Sequence, residues 1–269
     1  MSHKQYLPGE HTFAICAYKE SSYLEECIQS VLKQKVKTNL IMITSTPCEY
    51  IEKMAEKYGI TLYVNEGPSG IAEDWNFALK MAGTPLVTVT HQDDIYCEAY
   101  AEAVLEAVNH AKHPLIAFTD YGELRDGEWV LRNRLLRIKE YMMIPWRPRI
   151  FQHNRWLRRR ILSFGSPICC PSVTYCVDRI GVDVFTRQYR SDVDWQAWEK
   201  ISRFEGSFCY IHKPLMYHRI HEESETTAII ADNDRTREDY DMFCKFWPAP
   251  IAAILEHFYG KSEKSNELK

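Results

Sequence analysis

Short apolar, β-branched runs recur along the first part of the chain, each followed by a polar turn and then by apolar residues at helical spacing. Residues 12–17, 39–44, 60–64 and 86–90 read as buried strands of this kind. Between the first two, Ser22-Tyr23-Leu24-Glu25 has the form of a capping box. Leu24, Cys27, Ile28, Val31 and Leu32 then recur on one helical face. Thr46-Pro47-Cys48-Glu49 reads as a second capping box with Pro in the first helical position, and Gly59 as the residue that stops that helix. A third helix starts after Gly70 and closes at Gly83, and a fourth covers about 98–111. Strand–helix alternation of this length predicts an α/β fold: a mostly parallel open sheet with helices on both faces.

The second half is less regular. A strand at 115–119 runs to Asp120, and Asp126-Gly127 supplies a hairpin turn. Residues 132–160 hold ten Lys or Arg against one acid, Glu140, interleaved with Tyr141, Met142, Ile144, Trp146, Phe151 and Trp156. Within this stretch Leu131, Leu135, Ile138 and Met142 are spaced to share one helical face. A strand at 173–177 follows. Ser191-Asp192-Val193-Asp194-Trp195 then opens a helix, with its acids at the positive end of the dipole, and 208–211 is the last strand. Past about residue 231 the chain reads as helical. The expected organisation is one catalytic domain over 1–228, with a nucleotide-binding half at 12–112, an acceptor half at 113–228 and a helical extension at 229–269.

The formal charge of −4 argues against a general nucleic-acid-binding surface, despite the basic stretch. Nine cysteines form no CxxC spacing, so neither a zinc site nor a secreted disulfide framework is expected. There is no apolar leader at the start and no run long enough for a bilayer. The expectation is a cytoplasmic protein, with peripheral contact at the inner membrane face through the basic stretch.

The candidate chemistry begins at the fourth strand, which ends in His91-Gln92-Asp93-Asp94. Open α/β sheets bind ligands at the carboxyl ends of their strands. Adjacent carboxylates there repel, so one takes up a proton or a cation neutralises both. A hard divalent cation, Mn²⁺ or Mg²⁺, shared with a substrate phosphate is the natural occupant, and a solvated Asp-Asp turn is the plain alternative. Four features in order carry a family resemblance: the Cys16–Glu20 loop, Ser30-Val31-Leu32-Lys33-Gln34, the Gly70 turn with Asn76, and Asp93-Asp94. Together they resemble the nucleotide-binding half of a family 2 glycosyltransferase with the GT-A fold. Farther on, 191–195 resembles that family's Glu-Asp motif, and 214–221 with Ser224 resembles its closing segment.

The resemblance implies a glycosyltransferase, inverting and metal-dependent, that moves a sugar from a nucleotide-diphosphate donor, UDP-sugars foremost. The acceptor is then a hydroxyl on a glycan or lipid-linked intermediate of cell-surface polysaccharide or glycolipid synthesis. It makes Asp94 the metal ligand, with Asp93 sharing the metal or holding the ribose and His221 touching the metal or diphosphate. It makes Asp192 the catalytic base, with Asp194 in support. Ala17, Tyr18, Glu20, Thr44 and Asn76 match the positions around the nucleotide. The sequence departs from the family pattern in two places: Thr44-Ser45-Thr46 stand where an acid is common, and Trp75 replaces the Arg before Asn76. Gln152–Trp156 fits a QxxRW pattern but precedes the base motif, out of order for the polysaccharide synthases that use it. Two rival readings are a sugar-phosphate nucleotidyltransferase, which calls for a glycine-rich loop that 16–20 lacks, and a non-enzymatic module that binds nucleic acid or membrane through 132–160.

Overall fold

In a computed structural model, which describes residues 4–125, 127–221 and 234–264, the alternation is present as expected. The elements are β1 (His11–Ala17), α1 (Leu24–Leu32), β2 (Asn39–Thr44), α2 (Glu49–Tyr58), β3 (Thr61–Val64), α3 (Ile71–Met81), β4 (Leu86–His91), β5 (Ile95–Tyr96) and α4 (Tyr100–His110). They continue as β6 (Pro114–Arg125), β7 (Glu128–Val130), α5 (Arg134–Met143), α6 (Arg155–Leu162), β8 (Val173–Cys176), α7 (Val177–Ile180), α8 (Val193–Ile201), β9 (Ser207–Ile220), α9 (Asp234–Cys244) and α10 (Ala249–Lys264).

All described strands join one sheet in the order β3-β2-β1-β4-β8-β6-β9-β5, with β7 paired to β6. β1 to β4 pair with one another in parallel: β1 lies between β2 and β4, and β2 pairs with β3. This is why β1 carries an unbroken buried run where a half-exposed strand would alternate. β8 enters antiparallel between β4 and β6, and β6 then runs parallel to β9. β6 and β9 are far longer than expected, 12 and 14 residues, because each keeps pairing past a bulge near Asp120 and Pro214. The two-residue β5 pairs with β9 and was invisible as a hydrophobic run.

Two of the expected caps are absent. The first helix starts at Leu24 with Tyr23 as N-cap and no side-chain cap bond. α2 starts at Glu49 behind Cys48, also uncapped by a side chain. The Thr46 hydroxyl is spent elsewhere: it accepts the Lys19 N–H at 2.7 Å. Gly59 does end α2 in the left-handed conformation, φ 62°. The expected stripe of Leu131, Leu135, Ile138 and Met142 is also displaced. Leu131 precedes α5, and the helix buries Leu136 and Met143 instead. Asp126 of the hairpin turn and Ser224 of the closing segment lie outside the described residues.

The C-terminal helices are part of the main core. Met242 and Phe243 of α9 and Ala252 of α10 are buried in it with Trp195. Phe243 packs edge-on against Trp195 at 5.0 Å between ring centroids, and Tyr259 lies 5.7 Å away. The far end of α8 is tied down by Arg158 of α6, which is fully buried. Its Nε donates to the Ser202 carbonyl at 3.0 Å, and Nη1 and Nη2 donate to the carbonyls of Gly206 and Phe204. Burial, with Arg155 and Arg159 nearby, draws this guanidinium down to about 10, so it stays charged at neutral pH. Arg158→Ser strips donors from three buried carbonyls and is expected to cost about 3–5 kcal/mol in denaturant unfolding. A loss below about 1 kcal/mol would mean that water replaces the guanidinium there.

Candidate active site

The parallel register sets Ala17 beside Thr44 and Cys16 beside His91, so three strand ends open on one edge. Gln92 ties the first of these loops down. Its Oε1 accepts the Tyr18 N–H at 3.0 Å and its Nε2 donates to the Tyr18 carbonyl at 2.9 Å. This leaves the Tyr18 ring 45% exposed and Glu20 exposed at the rim, over the buried Ala17 and Thr44. The Thr44 hydroxyl accepts the Thr46 N–H at 3.0 Å, which shapes the turn after β2.

The acid missing from 44–46 arrives from α3. Asp74 Oδ2 accepts from the Ser45 hydroxyl at 2.6 Å, and Oδ1 accepts from Asn65 Nδ2 at 2.8 Å. Asn76, two residues on, is used differently from the expectation. Its Oδ1 accepts the Val184 and Phe185 N–H groups, each at 2.9 Å, and its Nδ2 donates to the Phe185 carbonyl at 2.8 Å. Asn76 therefore pins the segment after α7 through both ends of its amide.

β9 brings its C-terminal residues against the β4 carboxylates. Asp94 is fully buried; its Oδ1 accepts the Arg219 N–H at 3.0 Å and pairs with His218 Nδ1 at 2.9 Å. Its Oδ2 has no hydrogen-bond partner among the described residues and lies 3.7 Å from His91 Nδ1. Asp93 reaches nearer the surface, where its Oδ2 pairs with His221 Nε2 at 2.9 Å. Arg219 completes the frame: Nε donates to the Asp93 carbonyl at 2.9 Å, and Nη2 to Glu26 at 2.5 Å.

Electrostatics follow this packing. Burial by itself would raise the Asp93 carboxyl, but the His221 hydrogen bond and the nearby His218 and His91 hold it below its ordinary value. Burial also lowers His91, keeping that imidazole neutral with a lone pair to offer. For His218 burial acts downward too, yet the Asp94 carboxylate outweighs it and raises the imidazole. The ligand atoms of His91, Asp93 and Asp94 lie within 4.8 Å of one another. Two carboxylates and a neutral imidazole, one of them holding an orphaned buried oxygen, suit a hard divalent cation. His91, His218 and Arg219 were missed as functional residues, although all three sit inside motifs that the sequence displayed.

The two acids of 191–195 face different surroundings. Asp192 is the N-cap of α8, its side chain makes no cap bond, and its charge is felt by Tyr189 and by Lys245 beyond α9. The turn before it is held by Glu238 of α9, which accepts the N–H groups of Arg190, Ser191 and Asp192 at 2.8, 2.7 and 3.1 Å. Asp194 is partly exposed, whereas Asp192 is buried. Desolvation pushes the Asp194 carboxyl up to about 6 against the pull of the Trp195 N–H, Lys139 and Arg235. The charge of Asp194 reaches Cys169, which also senses Asp94, and Lys139 acts on both Asp194 and His218. Asp120, another acid at a strand end, has both oxygens engaged, by the Tyr210 hydroxyl at 2.5 Å and His212 Nδ1 at 2.7 Å.

No curated protein matches this sequence. Among solved structures, residues 1–349 of TarS from S. aureus, in complex with UDP-GlcNAc, superpose with a TM-score of 0.60 at 15% identity, covering 91% of this chain and 70% of that one. The mannosyltransferase PcManGT from Pyrobaculum calidifontis, in complex with GDP-Man and Mn²⁺, gives 0.60 at 15% identity over 93% of this chain and 69% of that one. Likeness at this identity establishes the GT-A fold. The model of the family "Glycosyl transferase family 2" matches residues 12–171, from the first strand through the metal-suited cluster to the turn before β8. With more than half of the chain matched and the strand-end carboxylates in place, this protein belongs to glycosyl transferase family 2 and is a glycosyltransferase.

Proposed function

We propose that the protein transfers one sugar from a nucleotide-diphosphate donor to an acceptor hydroxyl by a single in-line displacement that inverts the anomeric centre. The observation that carries this reading is the metal-suited cluster of His91, Asp93 and Asp94 at the strand ends, with Asp194, a carboxyl raised to about 6, acting on the same Cys169 that senses Asp94. Asp194, rather than Asp192, takes the proton from the acceptor hydroxyl. As that oxygen bonds to the anomeric carbon, the bond from that carbon to the diphosphate oxygen breaks. Asp93 and Asp94, with His91, would hold a divalent cation, Mn²⁺ or Mg²⁺. Bound there, it supplies Lewis-acid stabilisation of the leaving diphosphate. Asp93 is the carboxylate nearer the donor, with His221 beside it. Asp94 is the deeper one, locked by Arg219 and His218.

On the nucleotide, Tyr18 offers an exposed ring for stacking, Ala17, Thr44 and Glu20 shape the rim, and Asp74 supplies the carboxylate that the β2 turn lacks. A UDP-sugar is the donor to test first, because a similar structure holds UDP-GlcNAc. The acceptor is a glycan or lipid-linked hydroxyl of polysaccharide or glycolipid synthesis at the cytoplasmic side, where nine free thiols remain reduced. Release of nucleoside diphosphate from a panel of UDP-, GDP-, CDP- and dTDP-sugars, with Mn²⁺ and with a chelator, tests the reading. Failure to consume any donor under either condition would sink it.

Glu238 yields a separate expectation. Three charge-assisted bonds to one turn hold the start of the helix that carries Asp194. Glu238→Ala should lower unfolding stability by about 1.5–3 kcal/mol. A change within about 0.5 kcal/mol would show that the turn holds itself.

A further inference from the structure

The proposed reaction leaves one conspicuous surface unused. From α5 to the loop after α6, Tyr141, Ile150 and Trp156 are 59%, 80% and 67% exposed. Trp156 also lines a groove of about 430 Å³, walled almost wholly by apolar atoms, with Ile144, Pro145, Pro148, Phe151, Leu157 and Asn154. Single exposed apolar residues are ordinary, but a contiguous cluster of this size marks an interaction site.

The cations of 132–160 separate by role. Arg158 is buried on carbonyls and Arg159 pairs with Glu199 at 2.8 Å, so neither belongs to the surface. Arg147 and Arg149 flank the groove, paired with Glu140 at 2.7 Å and with Glu106 at 3.0 Å. Arg155 is exposed beside Trp156, and Arg160 lies over the rings of both Trp156 and Trp247, 5.7 and 4.6 Å from their centroids. The patch thus combines apolar side chains with four neighbouring arginines, two of them paired with exposed acids. Among the described residues no helix is long and apolar enough to cross a membrane.

We propose that this patch docks the protein on an anionic phospholipid surface. Ile150 and Trp156 enter the headgroup layer, the groove takes apolar lipid atoms, and Arg155, Arg160, Arg147 and Arg149 meet phosphates. The charge pattern favours a lipid face over a second copy of the chain. A two-fold contact pairs a patch with itself and would set these arginines against each other, whereas an anionic leaflet supplies the opposite sign across the whole area. α5 links the surface to the site. Its outer face carries Ile138 and Tyr141, while its Lys139 acts on Asp194.

The test is co-sedimentation of the full chain with phosphatidylcholine vesicles, with and without phosphatidylglycerol. Wild-type protein should pellet with the phosphatidylglycerol vesicles alone and lose binding as salt rises. Ile150→Ser and Trp156→Ser should each weaken binding about tenfold, and Arg155→Ser about fivefold. Leu32→Ser, which alters an exposed leucine on α1, should bind as wild type. The two apolar variants change highly exposed side chains, so their melting temperatures should match wild type, and either one suffices if the other does not. The proposal is overturned if wild-type protein ignores vesicles, binds neutral and anionic ones alike, or loses no more binding with Trp156→Ser than with Leu32→Ser. It is equally overturned if sedimentation velocity shows a dimer that Trp156→Ser splits while vesicles go unbound, which would make the patch a self-association surface.

Discussion

Asn in place of Asp194 is expected to lower sugar transfer by about 10²–10⁴-fold while leaving donor affinity nearly unchanged, the span over which a positioned base contributes. Asn in place of Asp192, whose charge acts on Tyr189 and Lys245, should leave transfer near the wild-type rate. The pH dependence carries a second signature. Burial raises the Asp194 carboxyl to about 6, and the base must be ionised, so transfer rises through about pH 6 and levels off above it. The residual activity of Asp194→Asn should lack that limb. Stability runs the other way. A carboxyl whose folded value is raised stabilises fully below its unfolded value near 3.8, and that contribution is lost as pH rises through about 6. Above that pH the Asn variant should unfold at the same denaturant concentration as wild type or higher, even though it is nearly inactive. If Asp192→Asn proves to be the crippled variant and Asp194→Asn turns over normally, the base assignment reverses.

That reversal between two acids shows where sequence reading stops. Strand and helix order through β4 was legible because buried parallel strands announce themselves as short β-branched runs, and Gly59 as a helix stop. The choice between Asp192 and Asp194 was not. The two lie two residues apart in the chain, and only their surroundings in the fold tell them apart: Glu238 of α9 accepts the Asp192 N–H, while the charge of Asp194 reaches Cys169. Asp74 was hidden for a similar reason: its carboxylate reaches the β2 turn from a helix 29 residues later. Asn76 carried the right motif, yet its amide is committed to the 184–185 backbone, a partner far away in sequence. Arg158 read as surface charge because a count of cations says nothing about burial, and its partners are carbonyls, which no sequence pattern displays. The lengths of β6 and β9 were underestimated because both strands pair on through bulges, where the apolar alternation breaks.

The Asp93→Asn variant should lose the Mn²⁺-dependent part of donor binding and about 10²–10³-fold in transfer, since a cation on the leaving diphosphate supplies several kcal/mol. Asp93 is the better probe than Asp94. Asp94 Oδ1 also holds the Arg219 N–H and His218, so its replacement disturbs the β4–β9 junction as well as any metal. Asp93 Oδ2 touches His221, while its place in the frame rests on its main-chain carbonyl, held by Arg219. Asn at this position keeps that carbonyl and the side-chain shape and removes only the charge. In wild-type protein, a nucleoside diphosphate at about a hundred times its dissociation constant should add about 2.7 kcal/mol of stability, and a chelator should remove most of it. In Asp93→Asn the chelator should change little, because the step it interrupts is already gone. His221→Ala should fall between the two, having lost the imidazole that holds Asp93 below its ordinary value but not the carboxylate itself. Melting curves for the three proteins, with UDP and GDP and with Mn²⁺ or chelator, decide the matter. A Mn²⁺-dependent shift of wild-type size in Asp93→Asn would remove Asp93 from the metal site and leave Asp94 and His91 to hold the cation alone.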